Sequence, residues 1–121
     1  MDYQSYKIVE SETQPGVKFR IRRISFGRRI ELLKQIREKA AKVEFLDASQ
    51  DPREKLEAVL LACELDKMYL LWGLEGIEGL EVDGAPATPE SLANAGPEAL
   101  CGEALRAIKA ELGLSETEEK N

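Results

Sequence analysis

The chain has 121 residues, 43% hydrophobic and 33% charged, with a formal net charge of −6, the size and composition of one globular domain and not of a disordered segment. Its longest unbroken apolar run, residues 58–63, is far short of the roughly 20 residues a bilayer-crossing helix needs, so no membrane span is expected. Histidine is absent, which removes the commonest metal ligand and the commonest general base together.

The opening residues Met1-Asp2-Tyr3-Gln4-Ser5 have neither the basic start nor the apolar stretch of a secretory signal, and a cytoplasmic location is expected. Tyr6-Lys7-Ile8-Val9-Glu10 reads as a strand, and Val17-Lys18-Phe19-Arg20-Ile21-Arg22 alternates apolar and basic residues with period two, a strand with one face inward. Between them Gln14-Pro15-Gly16 offers a proline to fix φ and a glycine to accept positive φ, which predicts an N-terminal hairpin. From Phe26 the spacing lengthens. Phe26, Ile30, Leu33, Ile36, Ala40 and Val43 recur every three or four residues and predict an amphipathic helix with these residues inward, capped by Ser25 and broken at Asp47-Ala48-Ser49-Gln50.

Asp51-Pro52-Arg53-Glu54 places an N-cap, a proline at the first helical position and a glutamate at the third, a strong helix start. The helix that follows is apolar on nearly every side from Leu56 to Trp72, which predicts a central element covered by its neighbours. Gly73, Gly76 and Gly79 then read as its termination. Asp83-Gly84 is a two-residue turn that predicts a short second hairpin over residues 79–87. Thr88-Pro89 and Gly96-Pro97 each start a helix. The fold expected is therefore α+β, an N-terminal β-hairpin and about four helices, in a single domain over residues 1–114. A flexible acidic tail is expected over residues 115–121.

Without an export signal, Cys63 and Cys101 read as small buried hydrophobes on helices and not as a disulfide. Carboxylates are plentiful, but no pairing or pocket motif surrounds any of them, and nucleophile elbows, phosphate loops and zinc spacings are absent. No catalytic, cofactor-binding or metal-binding residue is assigned, no cofactor is expected, and the chain is not expected to be an enzyme. Residues 1–42 carry a balance of +6 and residues 43–121 one of −12. Arg20, Arg22, Arg28, Arg29 and Arg37 from the basic part, with Tyr69 and Trp72 at the end of the apolar helix, are the candidate partner-binding residues. With Phe19 and Phe26 both expected to face inward, no aromatic interleaves with the arginines, so base stacking is unsupported and nucleic acid is not the favoured partner.

The segment Gly79-Leu80-Glu81-Val82-Asp83-Gly84-Ala85-Pro86-Ala87-Thr88-Pro89-Glu90-Ser91-Leu92, with Gly96-Pro97-Glu98 behind it, resembles the second half of small tail assembly chaperones of long-tailed phages and prophages. A helix ending in tryptophan, as at Trp72, and an ending such as Leu114-Ser115-Glu116 with Glu119-Lys120-Asn121 are similar to the same proteins. The resemblance implies a non-enzymatic role in the bacterial host cytoplasm: binding the tape measure protein, recruiting tail tube protein subunits, and leaving before the tail matures. It also implies that this chain corresponds to the shorter of two products that many members make by ribosomal frameshifting. It carries over no site residues. Oligomerisation stays open, as do two other readings, a structural or adaptor subunit retained in the assembled particle and a small nucleic-acid-binding regulator resting on the +6 region.

Overall fold

The computed structural model describes residues 1–114; the acidic tail expected over residues 115–121 lies outside them. In chain order the elements are β1 (Tyr6–Glu10), β2 (Lys18–Arg22), α1 (Phe26–Asp47), α2 (Pro52–Gly73), β3 (Leu74–Glu78), β4 (Glu81–Val82), β5 (Ala85–Pro86), α3 (Pro89–Ala95) and α4 (Glu98–Glu111). The architecture is α+β, with four helices and the short second hairpin formed by β4 and β5. Among the described residues no helix is long and apolar enough to cross a membrane.

The chain gathers into two compact units. One comprises Met1–Ile24 together with the described residues from Tyr69 onward, and the other is Ser25–Met68.

In the first unit the N-terminal hairpin is part of a larger sheet, antiparallel in the order β1-β2-β3. The third strand, β3, occupies residues that the glycine spacing marks only as a helix end. Its register explains why. Phe19 faces Ile77 and Arg20 faces Gly76, but Ile21 faces Leu74, so Glu75 is the extra residue of a bulge. The β3 residues opposite Phe19 and Ile21 are therefore three apart instead of two, and the alternation that betrays a strand is lost.

Phe19 and Ile21 are buried on the inner face of β2, which packs against α4. On α4 the buried residues Leu100, Ala104 and Ile108 recur at every fourth position, forming one apolar ridge. Helix α3 lies against β3 and α4 and buries Leu92 completely. Its start is a reciprocal capping box: the Thr88 hydroxyl accepts from the Ser91 N–H at 3.0 Å while the Thr88 N–H donates to the Ser91 hydroxyl at 2.9 Å. Asp83 and Gly84 at the tip of the second hairpin have φ of 52° and 81°, the left-handed pair that a two-residue turn between right-twisted strands requires.

The second unit is two helical segments joined at residues 48–51. Ser25 caps α1, its hydroxyl accepting from the Arg28 N–H at 3.3 Å, and Asp51 Oδ1 accepts from the Arg53 N–H at 2.9 Å at the start of α2. Lys39 pairs with Glu64, and Lys55 donates to the Asp47 carbonyl at 3.0 Å, and these contacts help tie the helices together.

The inward stripe of α1 departs from expectation only in its first half: Ile36 is buried and Ala40 and Val43 are half-buried, as the spacing predicts, but the expected residues before them are not. Leu32, Ile36 and Leu46 are buried, with Lys39 and Val43 between them on the same stripe, whereas Phe26, Ile30 and Leu33 are exposed. Helix α1 has two apolar stripes, each with spacing of three or four, and periodicity alone does not rank them. Nor is α2 covered on several sides, since Leu56, Val59 and Leu60 are exposed. It carries more apolar surface than a two-helix unit can enclose.

Candidate functional site

The sequence-derived candidates fall in three places. In the first unit, Arg20 and Arg22 lie two residues apart on β2. The Arg20 guanidinium sits 3.7 Å from the centroid of the Tyr6 ring, and its Nε is 3.7 Å from Glu75 Oε2. Arg22 places Nη1 3.6 Å from Glu75 Oε1 and donates from Nε to the Trp72 carbonyl at 2.9 Å. The bulge at Glu75 thus delivers one carboxylate to two arginines, and β1 supplies an aromatic face for one of them. An aromatic does lie among the arginines, then, and it comes from the neighbouring strand.

Tyr69 and Trp72 do not form an exposed aromatic anchor. Trp72 is buried, 8% exposed, within the core, and Tyr69 is half-buried with the Lys109 ammonium 5.7 Å from its ring centroid. Their apolar bulk goes to packing because the last turn of α2 enters the first unit, where a core exists to receive it.

Arg28, Arg29 and Arg37 lie on α1 in the second unit. Arg29 and Arg37 are exposed and Arg28 is half-buried. Among them run Phe26, 88% exposed, with Ile30 and Leu33 at the fourth and seventh positions beyond it. Together these residues make an apolar strip with a basic border on the outside of α1.

The charge asymmetry has a structural use. Lys7 meets Glu111 at 3.1 Å, Arg20 and Arg22 meet Glu75, and Lys39 meets Glu64. Each pair joins the basic first third of the chain to the acidic remainder. Such half-exposed pairs contribute about 0–1 kcal/mol apiece, so their weight lies in setting which surfaces meet.

Sequence reasoning missed the most strongly perturbed group, Glu103 on α4. It receives the Ser11 hydroxyl at 2.7 Å, the Glu12 N–H at 2.8 Å and the Thr13 N–H at 3.3 Å, and fastens the loop between β1 and β2 to α4. The Thr13 side chain, then the Ser11 hydroxyl and the two N–H groups, hold its carboxyl down at about 2 against its partial desolvation. The partners are 90 to 92 residues away in sequence, so no local pattern announces them. Because the folded value lies below the ordinary 4.5, the stabilisation is complete above about pH 4.5 and is lost as pH falls toward 2. Glu103→Gln is expected to lower stability at neutral pH by about 1 kcal/mol, the size of these bonds once solvent screening at the surface is allowed for. It should also flatten the acid limb between those pH values, as read from urea midpoints measured against pH.

Cys101 and Cys63 are both free thiols. Cys101 donates weakly to the Leu92 carbonyl at 3.2 Å; burial pushes its thiol up, and Glu98 adds to the effect, the opposite of what a reactive thiolate needs. Cys63 is exposed, against the expectation of a buried residue, because it lies on the uncovered side of α2. Among the described residues no group of three or more cysteine, aspartate or glutamate side chains is placed to hold a metal ion. The chain matches no family model, no curated protein and no solved structure.

Proposed function

We propose that the protein is a non-enzymatic tail assembly chaperone of a long-tailed phage or prophage, acting in the bacterial host cytoplasm to bind the tape measure protein and recruit tail tube subunits. The resemblance of residues 79–100 supplies the family, and one structural observation supports the role: the outward apolar strip Phe26, Ile30 and Leu33 on α1, bordered by Arg29 and Arg37. An apolar helix of a long partner would bury this strip, while the border sets orientation and allows release. The arginines of β2 contribute less, since Glu75 already faces both.

Co-expression with the tape measure protein tests the reading. The wild-type chain is expected to keep the tape measure soluble and to be recovered with it, while Leu33→Glu, at an exposed position, leaves the fold intact by circular dichroism and reduces recovery at least about tenfold. Failure of the wild-type chain to retain either the tape measure or the tube protein would overturn the proposal. Mass spectrometry of purified particles separates a chaperone, which is absent from them, from a retained structural or adaptor subunit.

A further inference from the structure

Helix α2 carries an outward strip of its own. Leu56, Val59 and Leu60 are 72%, 59% and 58% exposed, and the exposed Cys63 completes the spacing i, i+3, i+4, i+7 that aligns side chains on one face of a helix. Charge frames this strip in an ordered way. Arg53 and Lys55 flank its N-terminal end, and Glu64 and Asp66 flank its C-terminal end. Arg53 and Glu64 are eleven residues apart, as are Lys55 and Asp66. Eleven residues are close to three helical turns, so each basic residue shares a flank with one acidic residue. Glu57 lies on the Arg53 flank between the two charges, and Lys67, eleven residues beyond Leu56, lies in line with the strip past its C-terminal end.

We propose that the strip is covered by the same strip of a second copy of this chain, running antiparallel about a two-fold axis between Val59 and Leu60. In that arrangement Leu56 lies over the partner's Cys63, and Val59 and Leu60 meet at the centre. Each flank then meets itself reversed, so Arg53 approaches the partner's Glu64 and Lys55 approaches the partner's Asp66. A parallel pairing sets cation on cation and anion on anion, and is rejected by the same charges. The self-complementary pattern is what an isologous two-fold contact demands of a single surface. Lys55 already donates to the Asp47 carbonyl and Glu64 already accepts from Lys39; an ammonium has three donors and a carboxylate about four acceptor positions, so neither contact exhausts its group. This inference is independent of the tail assembly reading.

Sedimentation equilibrium of the full chain tests it. The wild type is expected to show a monomer–dimer equilibrium, and Leu60→Glu, at an exposed position, weakens the dimer at least about tenfold. The pairing direction is read by charge exchange: the Arg53→Glu/Lys55→Glu variant and the Glu64→Lys/Asp66→Lys variant each dimerise more weakly alone than the wild type, and an equimolar mixture recovers a heterodimer. A wild type that stays monomeric at all concentrations overturns the proposal, as does a dimer that Leu60→Glu leaves intact. A mixture of the charge variants that associates no better than either alone overturns the antiparallel register.

Discussion

Replacing Phe19 by alanine is expected to lower the unfolding free energy by about 3–5 kcal/mol, a large part of what a domain of this size has in total. Phe19 is 0% exposed, opposite Ile77 in the register of β2 with β3, on the strand against which α4 packs. Removing the ring leaves a void lined by a strand and a helix that cannot both move to fill it. Phe26 is the matched control. It is the same residue type but 88% exposed, so Phe26→Ala should change stability by no more than about 0.5 kcal/mol. Urea unfolding of the two variants checks both: the Phe19 midpoint falls with the slope unchanged, and the Phe26 midpoint stays in place. Equal effects would mean that the two rings do not differ in burial as described.

The second large effect is expected at Gly79. Two constraints act there at once. Its φ is +81°, and a Cβ at this position would come within 2.1 Å of the Gly16 carbonyl oxygen, well inside any contact distance. The obstacle is backbone, part of the turn between β1 and β2, and relief requires that turn to shift. Gly84 has the same φ of +81°, but a methyl group there would meet nothing within 4 Å. Gly84→Ala therefore carries only the left-handed penalty of about 1–2 kcal/mol, whereas Gly79→Ala adds the clash and should lose at least about 3 kcal/mol. Thermal unfolding of the pair isolates the cost of the close approach from that of the dihedral, and a Gly79→Ala variant no worse than Gly84→Ala would show that the turn yields freely.

The parts of the fold that were legible in the sequence are those with a local cause. Ser25, Asp51-Pro52, Thr88-Pro89 and Gly96-Pro97 each mark a helix start because a cap or a proline acts within one turn of itself. Asp83-Gly84 marks the second hairpin for the same reason, since the dihedrals belong to the two residues alone. What escaped was decided by partners distant in sequence. Whether Phe26 or Leu32 faces inward depends on what α1 meets, and the amphipathic pattern allows either. The fastening of Ser11 and Glu12 by Glu103 has no local signature.

The candidate residues were legible only as chemistry and not as a site. Five arginines, a tyrosine and a tryptophan were candidates for partner binding, and they distribute over β2, the outside of α1 and the end of α2. The strip on α2 was visible in the spacing of Leu56, Val59, Leu60 and Cys63, but an apolar face signals burial without saying whether the cover is the chain itself or another molecule.

The extra residue in β3 makes the length of that strand a functional quantity. Deleting Glu75 would restore a regular alternation between Leu74 and Ile77 and, with it, an unbroken ladder to β2. The same deletion would remove the carboxylate that Arg20 and Arg22 share, leaving two cations side by side with Tyr6 and the Trp72 carbonyl as their contacts. A more regular sheet and a neutralised one are thus mutually exclusive in this sequence. Substitutions at position 75 change the charge of the sheet's outer face, while insertions or deletions from 74 to 78 change which face each side chain occupies.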